Sequence, residues 1–111
     1  KERPPARQIP RLVMAQFDVY ILPDGGHVVD VQFPLANVHR TRLVIPLVDP
    51  TDDAGVVGRL NPQVVLNGEP WLLATHFAVT LDATLLRARI GSLDDQEWTI
   101  KSALDFLING F

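Results

Sequence analysis

Only one stretch of this chain carries a helical period, and it is the last. In Ser92 to Phe111, SLDDQEWTIKSALDFLINGF, the residues Ile100, Leu104, Leu107, Ile108 and Phe111 recur at helical spacing and form one apolar stripe. Asp94 is placed as an N-cap with Glu97 three residues on, and Leu93 and Trp98 are spaced for a hydrophobic staple across the start. Acids crowd the first turn, where the helix dipole favours them. Glu97, Lys101 and Asp105 follow at four-residue spacing as a charge-alternating face, and Gly110 is a stop signal. Such a helix docks on a sheet, and the rest of the chain has to supply that sheet.

It does so with short strands cut by turns. Gln16 to Leu22 alternates Phe17, Val19 and Ile21 against Gln16, Asp18 and Tyr20, the pattern of a half-buried strand. Pro23-Asp24-Gly25-Gly26 is a turn in which proline fixes φ and the glycines supply φ > 0. His27 to Phe33 is the return strand, Pro34 to Arg40 a long connection, and Arg42 to Val48 a third strand. Pro46 has no N–H for a ladder, which predicts an edge or a bulge at that point. Asp49 to Leu60 reads as a loop. Asn67-Gly68, between Gln63–Leu66 and Glu69–Ala74, is the strongest hairpin signal, because both central residues of a type I′ turn need φ > 0. His76 to Leu81 and Leu85 to Ile90 complete a mostly-β, α+β chain with one C-terminal helix.

With 111 residues there is material for one domain and one modest core. A content of 47% hydrophobic and 21% charged residues is that of a globular chain rather than a disordered one. No apolar run is long enough to span a bilayer and no stretch has signal-peptide form, so no membrane association is expected. The absence of cysteine rules out disulfides and thiolate zinc sites, which fits a cytoplasmic location. Residues 1–13, KERPPARQIPRLV, carry net +3 and three prolines and read as an extended basic arm, tag or upstream extension. Residues 14–111 form the domain, and its six basic and twelve acidic residues disfavour direct contact with a phosphate backbone.

The search for catalytic chemistry returns little. His27 sits beside a turn, His39 in a loop and His76 in an alternating strand, none at metal-binding spacing to another ligand. Asp52-Asp53 belongs to a loop and Asp94-Asp95 to a helix start. There is no nucleophile elbow and no phosphate-cradling glycine loop. Arg87 and Arg89 share one strand face, which is a candidate RNA-cleaving pair only if a histidine joins them. No catalytic residue, no metal and no cofactor is expected, and the balance favours a binding protein over an enzyme.

The order of motifs resembles one family, the CcdB toxins of bacterial toxin–antitoxin modules. Met14-Ala15-Gln16-Phe17-Asp18-Val19-Tyr20 is similar to the family's opening, with one residue more. Asp30-Val31-Gln32 and Arg42-Leu43-Val44-Ile45-Pro46-Leu47 match its second and third strands. Pro62, Gly68 and Trp71 match its central hairpin, and Ile100-Lys101, Ala103 and Gly110 its terminal helix. The resemblance implies an SH3-like β-barrel with a small side sheet and a C-terminal α-helix, assembled as a symmetric homodimer in the bacterial cytoplasm. It implies a toxin that binds the A subunit of DNA gyrase and traps the enzyme with its DNA cut. It also implies a CcdA-like antitoxin whose disordered C-terminal segment folds onto the toxin, and contact with operator DNA only through that antitoxin.

Carried over by position, the gyrase-binding residues are Asn109, Gly110 and Phe111 at the terminus, Asp105 and Ile108 on the helix, and the apolar pair Leu35 and Ala36. Asn109 is a departure: the family has there a tryptophan that stacks on an arginine of gyrase. Two other expectations stand beside this one. The first is a non-toxic CcdB-like dimer that acts through antitoxin binding and operon regulation. The second is a MazF-like endoribonuclease on the same barrel, using His27, His39, Arg87 and Arg89.

Overall fold

The computed structural model describes residues 15–34, 40–51 and 58–110. The arm at residues 1–13 lies outside them, as do Leu35, Ala36, His39, Asp52, Asp53 and Phe111. Within them the chain forms β1 (Asp18–Ile21), β2 (His27–Asp30), β3 (Thr41–Val48), β4 (Gln63–Leu66), β5 (Glu69–Leu73), β6 (Val79–Asp82), β7 (Ala88–Ser92) and one long helix, α1 (Glu97–Asn109). The seven strands make one antiparallel sheet in the order β4-β5-β3-β2-β1-β7, with β6 also paired to β3. It curls around α1 as a half-barrel.

The sheet forks at β3, and the fork explains its proline. On one side β3 pairs with β2 throughout Val44 to Leu47. On the other it pairs with β6 from Thr41 to Val44 and with β5 from Leu47 to Val48. Pro46 falls in the gap between those two partners, and its carbonyl accepts from the Ala74 N–H at 2.9 Å. The missing N–H faces that gap, so no ladder bond is lost. The expected edge or bulge is therefore corrected to a central strand; proline is tolerated here by a break in the neighbouring ladder.

Both faces of the sheet are covered, which corrects the half-buried reading of β1. Val19, Val29, Ile45, Leu47 and Leu73 point to one side and meet Val64, Leu66, Leu93, Ile100 and Ala103 in the main core. Tyr20, Val28 and Val44 point to the other side and pack under Leu86. Each fully buried aliphatic side chain contributes about 1.5–3 kcal/mol of transfer free energy. The second face also carries charge. Asp30 and Arg42 are 0% and 1% exposed and form an ion pair, with Arg42 Nε donating at 2.9 Å and Nη2 at 2.8 Å from Asp30 Oδ2. The Gln32 N–H donates to Asp30 Oδ1 at 3.0 Å, and Arg42 Nη2 donates to the Gln32 carbonyl at 3.1 Å. Among the described residues Arg42 Nη1 has no hydrogen-bond partner. Burial pushes the Asp30 carboxyl up, while the Gln32 N–H and Arg42 pull it back down. Tyr20 is pushed up to about 12, first by burial and then by the carboxylates of Asp18 and Asp30.

Both hairpins form, but at the first turn only Gly25, with φ of 93°, takes positive φ, and the expectation that both glycines do so is corrected. Asn67 and Gly68 have φ of 52° and 83°, the left-handed pair that a type I′ turn requires. In β4, Val65 faces Pro70 of β5, which has no N–H to give. Its own N–H and C=O point outward instead and meet the side chain of Gln96: Val65 N–H donates to Oε1 at 2.8 Å, and Nε2 donates to the Val65 carbonyl at 2.7 Å. One glutamine amide thus completes the open edge of β4 and ties it to the start of α1. Asn67 Nδ2 adds a bond to the Ile90 carbonyl at 3.0 Å. Near that contact Gly91 leaves room for the hairpin tip, since a Cβ there would stand 2.9 Å from Leu66 Cδ1.

Three local expectations are corrected. Thr75–Phe77 is a short 3-10 turn rather than the start of a strand, and Ala83–Leu85 is another. The helix does not use Asp94 as a cap: Asp94–Gln96 forms a 3-10 turn leading into α1, and the capping position, Gln96, makes no side-chain cap bond. The staple also fails to form, because Leu93 is fully buried while Trp98 is 78% exposed.

Candidate functional site

Along α1 the apolar stripe divides. Ile100 and Ala103 are fully buried in the main core and Leu104 packs at its margin. Beyond them the sheet has run out. Leu107 is 43% exposed and Ile108 75% exposed, and Asp105, Asn109 and Gly110 are exposed as well. The helix closes in the left-handed conformation at Gly110, with φ of 79° and its N–H donating to the Phe106 carbonyl at 2.8 Å. A helix end of this left-handed type needs a residue without a Cβ penalty at this point, which is the sequence's stop signal realised. The helix therefore presents a tip at which Ile108 is largely exposed and Leu107 partly so.

Of the residues named from the sequence, Asp105, Ile108, Asn109 and Gly110 come together on this tip. Leu35, Ala36 and Phe111 lie outside the described residues. The arrangement offers apolar area, one carboxylate and one carboxamide, and no nucleophile–base pair, so its chemistry is that of a docking surface.

Two side-chain contacts were not legible in the pattern. The Arg59 guanidinium lies over the Phe106 ring, 5.0 Å from its centroid. Lys101 Nζ bridges Glu97 at 2.8 Å, as the i,i+4 spacing predicts, and stands 5.9 Å from the Trp98 ring centroid. Beside Trp98 an open hollow of about 340 Å³ is lined by Gly58, Arg59, Pro62, Trp98, Thr99 and Ser102. The exposure of Trp98 had a signal in the sequence: it falls out of phase with Ile100 and Leu104, and in phase with Ser102, Asp105 and Asn109.

Of the residues considered for RNA cleavage, His39 lies outside the described residues, and His27 is not brought together with Arg89. His27 lies on the helix side of the sheet and stacks on Trp71, with ring centroids 4.5 Å apart. Arg89 pairs with Tyr20 in register, which puts it on the opposite face, and its Nε bonds Asp18 at 3.1 Å. Arg87 precedes β7 and is exposed. His76 is held through Nδ1 by the side-chain amide of Asn61 at 3.0 Å, which is a structural role. Among the described residues no group of three or more His, Cys, Asp or Glu could hold a metal ion, and no helix is long and apolar enough to cross a membrane.

Compared with known families, residues 16–110 match the family model described as CcdB protein. No curated protein matches the chain.

Proposed function

The chain belongs to the CcdB family of toxin–antitoxin toxins, and on that premise we propose that it is a toxin that binds the A subunit of DNA gyrase through the tip of α1. Binding at the gyrase dimerisation core would hold the enzyme with its DNA cut. The carrying observation is the exposed end of a well-anchored helix, with Ile108 75% exposed and Asn109 and Gly110 beside it. A homodimer presents two such tips to a two-fold target, so each contact is doubled and the second engages at high effective concentration. A cognate antitoxin with a disordered C-terminal segment neutralises the toxin, acts in the bacterial cytoplasm and carries it to operator DNA. Residues 14–111 are the toxin domain, and residues 1–13 an extension outside it.

No covalent step belongs to the toxin in this reading. Its work is differential binding: the tip prefers the gyrase conformation in which the DNA is open, and so shifts the enzyme's population toward it. Incubating the protein with gyrase, ATP and supercoiled plasmid, then adding denaturant and protease, is expected to yield linear DNA. Plasmid that stays uncut at every toxin concentration refutes gyrase poisoning.

One observation favours a second reading. Asn109 stands where the family has a tryptophan, and losing a stacked aromatic forgoes roughly 0.5–2 kcal/mol at each tip. A dimer so weakened would act through its antitoxin and its operon alone. Tight antitoxin binding with uncut plasmid is the result that selects it.

A further inference from the structure

The chain contains the dipeptide Asn-Gly twice, at Asn67-Gly68 and at Asn109-Gly110, and the fold treats the two differently. Asparagine is a chemically labile residue, and before glycine it is most so, because no side chain shields the backbone nitrogen that attacks its carboxamide. At the end of α1 that nitrogen is engaged: the Gly110 N–H donates to the Phe106 carbonyl at 2.8 Å. In the β4–β5 turn Leu66 and Glu69 pair across the hairpin, and the Gly68 N–H meets no acceptor among the described residues. Asn67 and Gly68 are both exposed, and a Cβ on Gly68 would touch nothing within 4 Å. We propose that Asn67 is a deamidation site, and that its modification loosens the seam at which the half-barrel closes.

In this reaction the Gly68 nitrogen loses its proton and bonds to Asn67 Cγ. The Cγ–Nδ2 bond breaks, and Nδ2 takes up a proton and leaves as ammonia. Water then opens the succinimide at either carbonyl, which leaves aspartate or isoaspartate at position 67. The fold holds the reaction back. Nδ2 is bonded to the Ile90 carbonyl at 3.0 Å, and φ values of 52° and 83° set the turn. The carboxamide has to leave β7 and the turn peptide has to rotate before attack, so the reaction follows local opening of the hairpin tip. That tip joins the two ends of the strand order, β4 and β7. Asn67 also lies against Gly91, where a Cβ would stand 3.3 Å from Nδ2 and 3.4 Å from Oδ1. After deamidation an oxygen replaces Nδ2 opposite the Ile90 carbonyl oxygen. One hydrogen bond is lost and two acceptors face each other with no proton between them. Isoaspartate in addition lengthens the turn backbone by one atom, which the type I′ geometry does not accommodate.

The test holds the full chain in warm, mildly alkaline buffer, folded in one sample and unfolded by guanidinium chloride in another. Both are followed over days by tryptic mass spectrometry and by an isoaspartate assay. In the folded sample the peptide of residues 60–87 is expected to gain one mass unit, located at Asn67 by fragmentation, ahead of the peptide of residues 102–111 that carries Asn109. In the unfolded sample the two should react at similar rates. If the Asn109 peptide of the folded protein changes first, or residues 60–87 stay unmodified while the unfolded chain reacts, the site is overturned. The seam is read by amide exchange at the β4–β5 tip and β7 in Asn67→Asp, which should speed up about fivefold, the equivalent of one hydrogen bond. Asn67→Gly suits the turn and cannot react, and its exchange should fall between that of Asn67→Asp and wild type. Thermal melts verify that both variants fold. Exchange in Asn67→Asp equal to wild type overturns the seam.

Discussion

The two halves of α1 share one apolar stripe and have opposite fates. In the first half Ile100 and Ala103 are sealed against the sheet, and the Gln96 amide just before them locks the helix start to the edge of β4. In the second half Leu107 and Ile108 continue the stripe into solvent. Periodicity marks the helix, but it does not mark where the sheet beneath it ends. The excess of stripe over sheet is exposed apolar surface among the described residues, which is the signature of an interaction site.

This contrast can be broken at its buried end first. Ile100→Ala should cost about 2–5 kcal/mol of stability, because it empties a site with no exposed atoms to relax into solvent. Denaturant unfolding measures this, and a loss comparable to that of a surface substitution would mean that the helix is not anchored there. The sheet body also has a pH signature. The Tyr20 phenol is raised from 10.0 to about 12 in the folded chain, so the folded state keeps a proton that the unfolded state gives up. Stability should be full below pH 10, fall as pH rises from 10 toward 12, and level off beyond, a loss of about 2–3 kcal/mol. Unfolding curves across that range should show the fall in wild type and its absence in Tyr20→Phe.

Smaller effects sharpen the boundary. Gln96→Ala removes both bonds to Val65 at an exposed edge where water can replace them, and should cost about 1 kcal/mol. Amide exchange at Val65 should speed up with it. Ile108→Ser, at the other end, should change stability by no more than about 0.5 kcal/mol, since that side chain is 75% exposed. It should nevertheless raise the protein concentration needed for gyrase trapping. A large stability loss in Ile108→Ser would show that the tip is structural and would erase the contrast.

Much of this division was legible before any coordinates. The Asn67-Gly68 hairpin, the Gly110 stop and the Glu97–Lys101 pair depend on local rules of φ and spacing, and all three hold. The fork at β3 was not legible, because proline signals only that a donor is missing. A gap between two neighbours satisfies that condition as well as an edge does. The buried Asp30–Arg42 pair was hidden for a similar reason: two charges twelve residues apart announce nothing until the β2–β3 register sets them side by side. Of the candidate site, the tip residues could be placed by helical phase and by family resemblance. The exposure of Trp98 was obscured by the staple pattern, which offered it a buried partner in Leu93, although its helical phase already set it apart from Ile100 and Leu104.

The central claim is that the tip acts on the target while the rest of the domain folds and meets the antitoxin. A chain ending at Ile108 tests it most directly, read in two ways: linear plasmid from gyrase, and capture of the cognate antitoxin. The account predicts that plasmid cleavage disappears while the melting temperature and antitoxin capture stay those of the full chain. A shortened protein that still linearises plasmid as the full chain does would contradict it.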